Sequence, residues 1–200
     1  MSRIGTDIIA RAARAGGKLI RLAVPLAPAL GLLLATTLPA GATEQGGVEE
    51  YAVKAAYIYN FTKFVQWPDD AAGAGQKEKS LNLYVLGDSP LAGRLPEING
   101  RTVGGRELTV KNLKPGEIPA DCMILVITDT RGAQLASLLK LASSRGILTI
   151  GDIEGFAEAG GMIGFYWQAD KIRFAINNDA ALKAGIVLSS QLLKLAKIVR

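Results

Sequence analysis

Residues 122–150 place the strongest constraint on how this 200-residue chain can fold. Their sequence, CMILVITDTRGAQLASLLKLASSRGILTI, consists of an apolar run, a stretch with leucines at helical spacing, and a second apolar run. A nearly continuous apolar run is typical of a strand that is covered on both faces. Because strand, helix and strand in this order form a parallel crossover, the segment predicts an α/β fold with a sheet that is at least partly parallel.

Patterns before this unit add further elements. Apolar residues at Val53, Tyr57, Phe61 and Phe64 predict an amphipathic helix over residues 48–66, and WPDD after it predicts its end, because a proline disfavours helical geometry in the residue before it. We interpret this aromatic stripe as core packing. LNLYVLGD is predicted as a strand, and RELTVKNL, which has one polar face, as a strand at a sheet edge.

The glycines in GDIEGFAEAGGMIGFYW follow a predicted strand, which is where nucleotide-binding proteins place phosphate loops. Their spacing matches neither phosphate-loop motif, and the residues after Gly160 and Gly161 do not have a helical pattern. MIGFYW and KIRFAI, separated by QAD, instead predict a β-hairpin that these glycines enter through a tight turn. The alternation places Trp167 in the core beside Ile163 and Phe165.

The C-terminal region is predicted to be helical. NNDAALKAG contains a cap at Asn177 or Asn178 and a final glycine, which predicts a short helix. SSQLLKLAKIV is predicted to form another helix, with Leu192, Leu195 and Val199 on one face. The fold class is therefore a single α/β domain over residues 43–200, with a mixed, mostly parallel sheet flanked by helices, a C-terminal hairpin and helices.

Residues 1–42 are predicted to be a signal peptide that is removed after about Ala42. Five basic side chains precede the apolar stretch LAVPLAPALGLLLATTLPA, and AGA provides the small residues of a cleavage site. The prolines in the stretch argue against the alternative, a membrane anchor. Residues 43–200 carry 18 basic and 17 acidic side chains, a net charge of +1, so the basic composition does not indicate a nucleic-acid partner. We expect an exported protein.

Few residues are suited to catalysis. The chain has no histidine, which excludes Ser-His and Cys-His nucleophile pairs. Carboxylates at predicted strand ends could hold Mg²⁺, but they are also common helix caps and turn residues, and no phosphate loop accompanies them. We expect that the protein is not an enzyme and that it binds no cofactor or metal. These carboxylates are Asp88, Asp129, Asp152 and Glu154.

Two other features bear on function. The single cysteine, Cys122, excludes an intramolecular disulfide and is predicted to be buried in a strand. Tyr166 and Arg173 lie near the predicted hairpin turn and are candidate partner-binding residues, because aromatic and basic side chains are enriched at interface hot spots. The residues therefore favour binding or regulation over turnover.

The blocks KAAYIYNFTKFVQWP and ILTIGDIEGFAEAGGMIGFYWQADKIRFAINNDAALKAGIVLSSQLLKLAKIV resemble the YfiR family of bacterial periplasmic proteins. The resemblance extends over about residues 48–199. It implies a mixed α/β domain that binds the periplasmic part of an inner-membrane diguanylate cyclase and represses it, which lowers cyclic di-GMP and biofilm formation. It also implies an OmpA-like outer-membrane lipoprotein that sequesters the repressor, and a homodimer.

One difference from the family limits what the resemblance implies. The family's cysteine pairs tune stability by redox state, whereas this chain has Cys122 alone, so redox control is not carried over. Two alternatives to the repressor remain at the level of sequence. One is a small-molecule-sensing module of another membrane signalling system, with its site near Gly151 and Asp152, and the other is a carboxylate-dependent Mg²⁺ enzyme.

Overall fold

The computed structural model describes residues 44–67, 80–114, 116–130 and 132–200, so the predicted signal peptide lies outside the described residues. The helices are α1 (Glu44–Thr62), α2 (Pro90–Arg94), a 3-10 turn (Leu95–Ile98), α3 (Gly132–Ser144), α4 (Asn178–Lys183) and α5 (Ser190–Leu193). The strands are β1 (Val65–Gln66), β2 (Ser80–Leu86), β3 (Thr102–Val103), β4 (Arg106–Leu113), β5 (Ile124–Ile127), β6 (Leu148–Gly151), β7 (Ile163–Gln168), β8 (Lys171–Asn177), β9 (Val187–Leu188) and β10 (Lys197–Val199).

Eight of these strands form one mixed sheet in the order β10-β8-β7-β6-β5-β2-β4-β3. The central pairs from β4 to β7 are parallel, as is the pair of β8 with β10, while β7 with β8 and β3 with β4 are antiparallel. The mixed, mostly parallel sheet flanked by helices is therefore confirmed. β1 and β9 form a separate antiparallel pair.

Both faces of the sheet are covered by apolar side chains. In β5, Ile124 and Val126 belong to the core beneath α1, whereas Leu125 and Ile127 belong to the core beneath α3. Because both faces of β5 are buried, its sequence is one continuous apolar run. None of the helices in the described part of the chain is long and apolar enough to cross a membrane.

The aromatic stripe of α1 packs in the core as predicted, with one exception. The ring of Phe61 lies 5.8 Å from that of Phe165 and 4.8 Å from that of Phe174, measured between centroids. Val53, however, is exposed. α1 also ends at Thr62 rather than residue 66, because the next residues form a turn and the short strand that pairs with β9.

Two further predictions about elements are corrected by the sheet. β4 is not the outermost strand at its start, because the two-residue strand β3 pairs with Arg106 and Glu107 on the outer side. The predicted last helix is limited to α5, and residues 197–199 form β10 beside β8. Leu192 is buried, but Leu195 is 73% exposed, so the expected helical face does not exist. Pairing with the open edge of β8 stabilises a strand there despite the helical pattern.

The predicted hairpin and the cap of α4 are confirmed. β7 and β8 join through Ala169 and Asp170, which both have positive φ, as the two-residue turns favoured in hairpins require. The side chain of Asn177 accepts a hydrogen bond from the backbone N–H of Ala180 and donates one to the carbonyl of Ala157. This residue therefore connects the start of α4 to the loop that follows β6.

Candidate functional site

A cleft opens where β6 ends and β7 continues. The ladder between these parallel strands includes only Ile163 and Gly164 of β7, so residues 165–168 extend past the end of β6. The chain leaves β6 at Asp152 and forms an irregular loop rather than a helix before it enters β7. The resulting cleft has a volume of about 680 Å³ and is lined by α1, this loop, the hairpin and Lys197 of β10.

The glycines of the loop accommodate the ring of Phe156, which is buried. A Cβ at Gly151 would lie 2.2 Å from this ring, and a Cβ at Gly161 would lie 2.1 Å from it. The backbone N–H of Gly161 also donates a hydrogen bond to the carbonyl of Phe156, 2.9 Å away. These glycines therefore let the loop fold around its own aromatic side chain, in agreement with a turn into the hairpin.

A buried lysine forms the inner wall of the cleft. The Lys54 ammonium lies 2.5 Å from a carboxylate oxygen of Glu50 and 2.7 Å from one of Asp152, and its side chain is only 6% exposed. Burial has the strongest effect on its pKa and lowers it, but the hydrogen bonds to Asp152 and Glu50 outweigh burial, so the pKa is raised above 10.5. The ammonium also lies 5.1 Å from the centroid of the Tyr51 ring.

The mouth of the cleft has a similar arrangement that is open to solvent. The Lys197 ammonium lies 3.2 Å from a carboxylate oxygen of Glu158 and 5.6 Å from the centroid of the Tyr166 ring. The side chains of Lys197 and Glu158, unlike that of Lys54, are about half exposed. Glu154 on the loop is also exposed, as is Trp167 on β7.

Only two of the four carboxylates that the sequence places at strand ends line the cleft. Asp152 and Glu154 both line the cleft, whereas Asp88 and Asp129 are exposed at the ends of other strands. The cap of α2 is Ser89, whose hydroxyl accepts a hydrogen bond from the backbone N–H of Ala92. Across residues 44–67, 80–114, 116–130 and 132–200, no three acidic or cysteine side chains are grouped so that they could hold a metal ion.

The two candidate partner-binding residues, Tyr166 and Arg173, are direct neighbours across the hairpin. Tyr166 is partly buried and lines the cleft, whereas Arg173 is exposed. The prediction that Trp167 lies in the core is wrong, because this residue is 54% exposed. Phe165, two residues earlier on the same face, is buried against α1, so the end of the hairpin projects past the helix that covers its base.

Cys122 is buried as predicted, and burial raises the pKa of its thiol to about 12. Lys54 was not predicted as a site residue, although the sequence contains a signal for it. Lys54, Ile58 and Phe61 share one helical face, and a lysine on an apolar face indicates a buried charge with a partner. Lys197 had no such signal, because its contacts with Tyr166 and Glu158 depend on the pairing of β10 with β8.

These features define a mixed α/β domain with a polar, aromatic-walled cleft at the end of a central strand. A family model described as YfiR/HmsC-like matches residues 51–197, and the chain belongs to this family. The match extends from α1 to β10 and so includes all the elements that form the cleft. The family is regulatory and of a periplasmic type, and it suggests a periplasmic regulator of a diguanylate cyclase. No curated protein matches the chain.

Proposed function

We propose that this protein is a periplasmic repressor that binds the periplasmic part of an inner-membrane diguanylate cyclase and keeps its cytoplasmic output low. The observation that carries the proposal is the family match over residues 51–197. An OmpA-like outer-membrane lipoprotein that sequesters the repressor belongs to the same proposal, as does a homodimer. Residues 1–42 are the export signal that places the protein in the periplasm.

The mechanism is a shift of population and needs no catalytic group. A repressor that binds the inactive form of the cyclase more tightly than the active form shifts the receptor towards the inactive form, and the shift is limited by the ratio of the two affinities. The exposed end of the hairpin supports binding of this kind, because it presents Trp167 and Arg173 to solvent.

Measurement of the cellular level of cyclic di-GMP tests the proposal. Deletion of the gene is expected to raise cyclic di-GMP, and complementation with the full chain is expected to reverse the rise. A version without residues 1–42 should not reverse the rise, because it would stay in the cytoplasm. An unchanged level after deletion, or complementation by the version that is not exported, would contradict periplasmic repression.

Variants of the exported protein then test the hairpin as the binding surface. Arg173→Glu is expected to weaken repression, while Lys183→Glu makes the same change of charge at an exposed position on α4 and is expected to repress normally. Equal repression by both variants would exclude Arg173 from the interface. Immunoblots of periplasmic extracts control for the amount of each protein.

The cleft supports a second candidate function, a small-molecule-sensing module of a membrane signalling system. Its volume of about 680 Å³ falls within the range of about 300–1,000 Å³ that is typical of ligand pockets. A ligand that binds only the folded protein raises its melting temperature. A thermal-shift screen of small metabolites is expected to identify such a ligand, and a screen without any hit would count against sensing.

A further inference from the structure

The cleft has more negative than positive side chains. Asp152, Glu154 and Glu158 line it together with two lysines, and Glu50 is ion-paired with the inner lysine just behind the wall. In the described part of the chain, three carboxylates and two ammonium groups thus line the cleft, and the inner ammonium has Glu50 as a further partner. Among the described residues, Glu154 has no ion pair. The cleft is therefore suited to a further positive charge.

The inner end shows which chemical group its walls hold. The Lys54 ammonium lies between two carboxylates and also faces the rings of Tyr51 and Phe165, at 5.1 and 6.0 Å from their centroids. Carboxylates and aromatic faces both attract cations, and the attraction to a ring increases where water is excluded. Since Lys54 is buried and bonded to two carboxylates, it is a permanent part of this wall.

At the mouth of the cleft, a second lysine also lies beside a carboxylate and an aromatic ring, but this lysine can be displaced. The Lys197 ammonium faces one carboxylate, Glu158, and one ring, Tyr166. Both members of the ion pair are about half exposed, at 56% and 47%, and exposed pairs of this kind contribute little to stability. A ligand cation could therefore replace the Lys197 ammonium at little cost.

We propose that the mouth of the cleft binds an organic cation, an alkylammonium or guanidinium group, which displaces Lys197 from Glu158 and Tyr166. The proposal rests on the second candidate function and names the ligand class of that site. The cation is either a free small amine or the basic side chain of a polypeptide, since both carry the same group. Lys197 acts as an internal competitor that lowers the affinity of the site.

If Lys197 competes with the ligand, removal of Lys197 and removal of Glu158 should change the affinity for a cation in opposite directions. Calorimetric titration of the exported protein with cadaverine is expected to show binding, while 1,5-pentanediol, a neutral molecule of the same length, should not bind. Lys197→Gln is expected to tighten cadaverine binding about three- to tenfold, and Glu158→Gln to weaken it by a similar factor, since each removes one partner of the contact. Melting temperatures of the variants verify that they fold.

Lys171→Gln is the matched control, because it removes a lysine from an exposed position on the same hairpin that does not line the cleft. It is expected to change cadaverine binding by less than about twofold, because salt weakens the effect of an exposed charge that lies outside the cleft. Equal strengthening by Lys171→Gln and Lys197→Gln would show a general effect of net charge and would overturn the competitor role.

The blocked peptide acetyl-Gly-Lys-Gly-amide distinguishes the two sources of the cation. Binding of cadaverine alone identifies a free amine, and binding of the peptide alone identifies a protein side chain; either supports the cation site. Binding of neither cation, or of pentanediol as tightly as cadaverine, overturns it. If the metabolite screen finds neutral or anionic ligands while cations fail, the ligand class is wrong and sensing remains supported; if it finds none, sensing fails as well.

Discussion

At the scale of single residues, Cys122 shows how burial controls a reactive group. Its thiol is buried and donates to the carbonyl of Ile124, at an Sγ to O distance of 3.4 Å. The desolvation that raises the pKa of the thiol to about 12 also suppresses the thiolate, which is the reactive form. Cys122 is therefore expected to react with Ellman's reagent only after the protein unfolds.

The same burial predicts a dependence of stability on pH. An unfolded Cys122 thiol ionises near 9.0 but the folded one near 12, so the folded state holds more protons between these values and loses stability as the pH rises through them. The wild type is expected to lose roughly 1–2 kcal/mol more than Cys122→Ala in the free energy of unfolding between about pH 8 and about pH 10.5. Urea unfolding at both pH values measures the difference, and equal losses would contradict it.

At the scale of elements, the loop between β6 and β7 depends on two residues without side chains. Gly151 and Gly161 flank the ring of Phe156, and the conformation of neither requires positive φ, so the constraint is the space that the ring occupies. The predicted turn at Gly160 and Gly161 is confirmed, whereas Gly151 ends β6. The packing of Phe156 against Gly151 and Gly161 was not predicted from the sequence, because the ring reaches them only through the tertiary path of the loop.

Gly161→Ala is expected to destabilise the protein by roughly 1–3 kcal/mol, because the new Cβ would overlap a ring that cannot move away. Combined with Phe156→Ala, it is expected to cost less than the sum of the two single changes, because the ring is then absent. Gly93→Ala is the control, since a Cβ there would meet nothing within 4 Å. Denaturant unfolding measures all four variants, and additive costs would refute the proposed contact.

At the scale of the whole molecule, the Lys54 ion pairs join two parts of the chain that are distant in sequence. Lys54 and Asp152 are 98 residues apart, and their contact attaches α1 to the loop at the end of β6. Glu50 lies one helical turn before Lys54 and completes the group. The inner wall of the cleft and the packing of α1 on the sheet therefore depend on the same contact.

Removal of this lysine is expected to be costly. Lys54→Met leaves the carboxylates of Glu50 and Asp152 close together without a positive charge, and we expect a loss of about 2–3 kcal/mol in the free energy of unfolding, less than for a fully buried pair because both carboxylates are partly exposed. The further changes Glu50→Gln and Asp152→Asn in the same protein should restore most of the lost stability. Lys63→Met, at an exposed site just after the helix, should have little effect. If the triple variant is no more stable than Lys54→Met, the charge argument is wrong.

The successful predictions and the errors depend on different kinds of information. The apolar run of β5 and the turn between β7 and β8 are local features, and both were predicted from sequence. Trp167 was misplaced because its alternation with Phe165 continues past the point where α1 stops covering the sheet. Residues 197–199 were misassigned because a helical pattern cannot show that the edge of β8 is available for pairing.

The sequence by itself determined the class of the fold, the positions of the strands that are apolar on both faces, and the family to which the chain belongs. The fold class and the strand positions depend on periodicity and composition along the chain, and the family depends on the order and spacing of residues in the matching blocks, none of which requires knowledge of distant contacts. Only the tertiary structure decided the cleft. Its walls come from α1, the loop after β6, the hairpin and β10, and its charges face one another because strands distant in sequence pair side by side in the sheet.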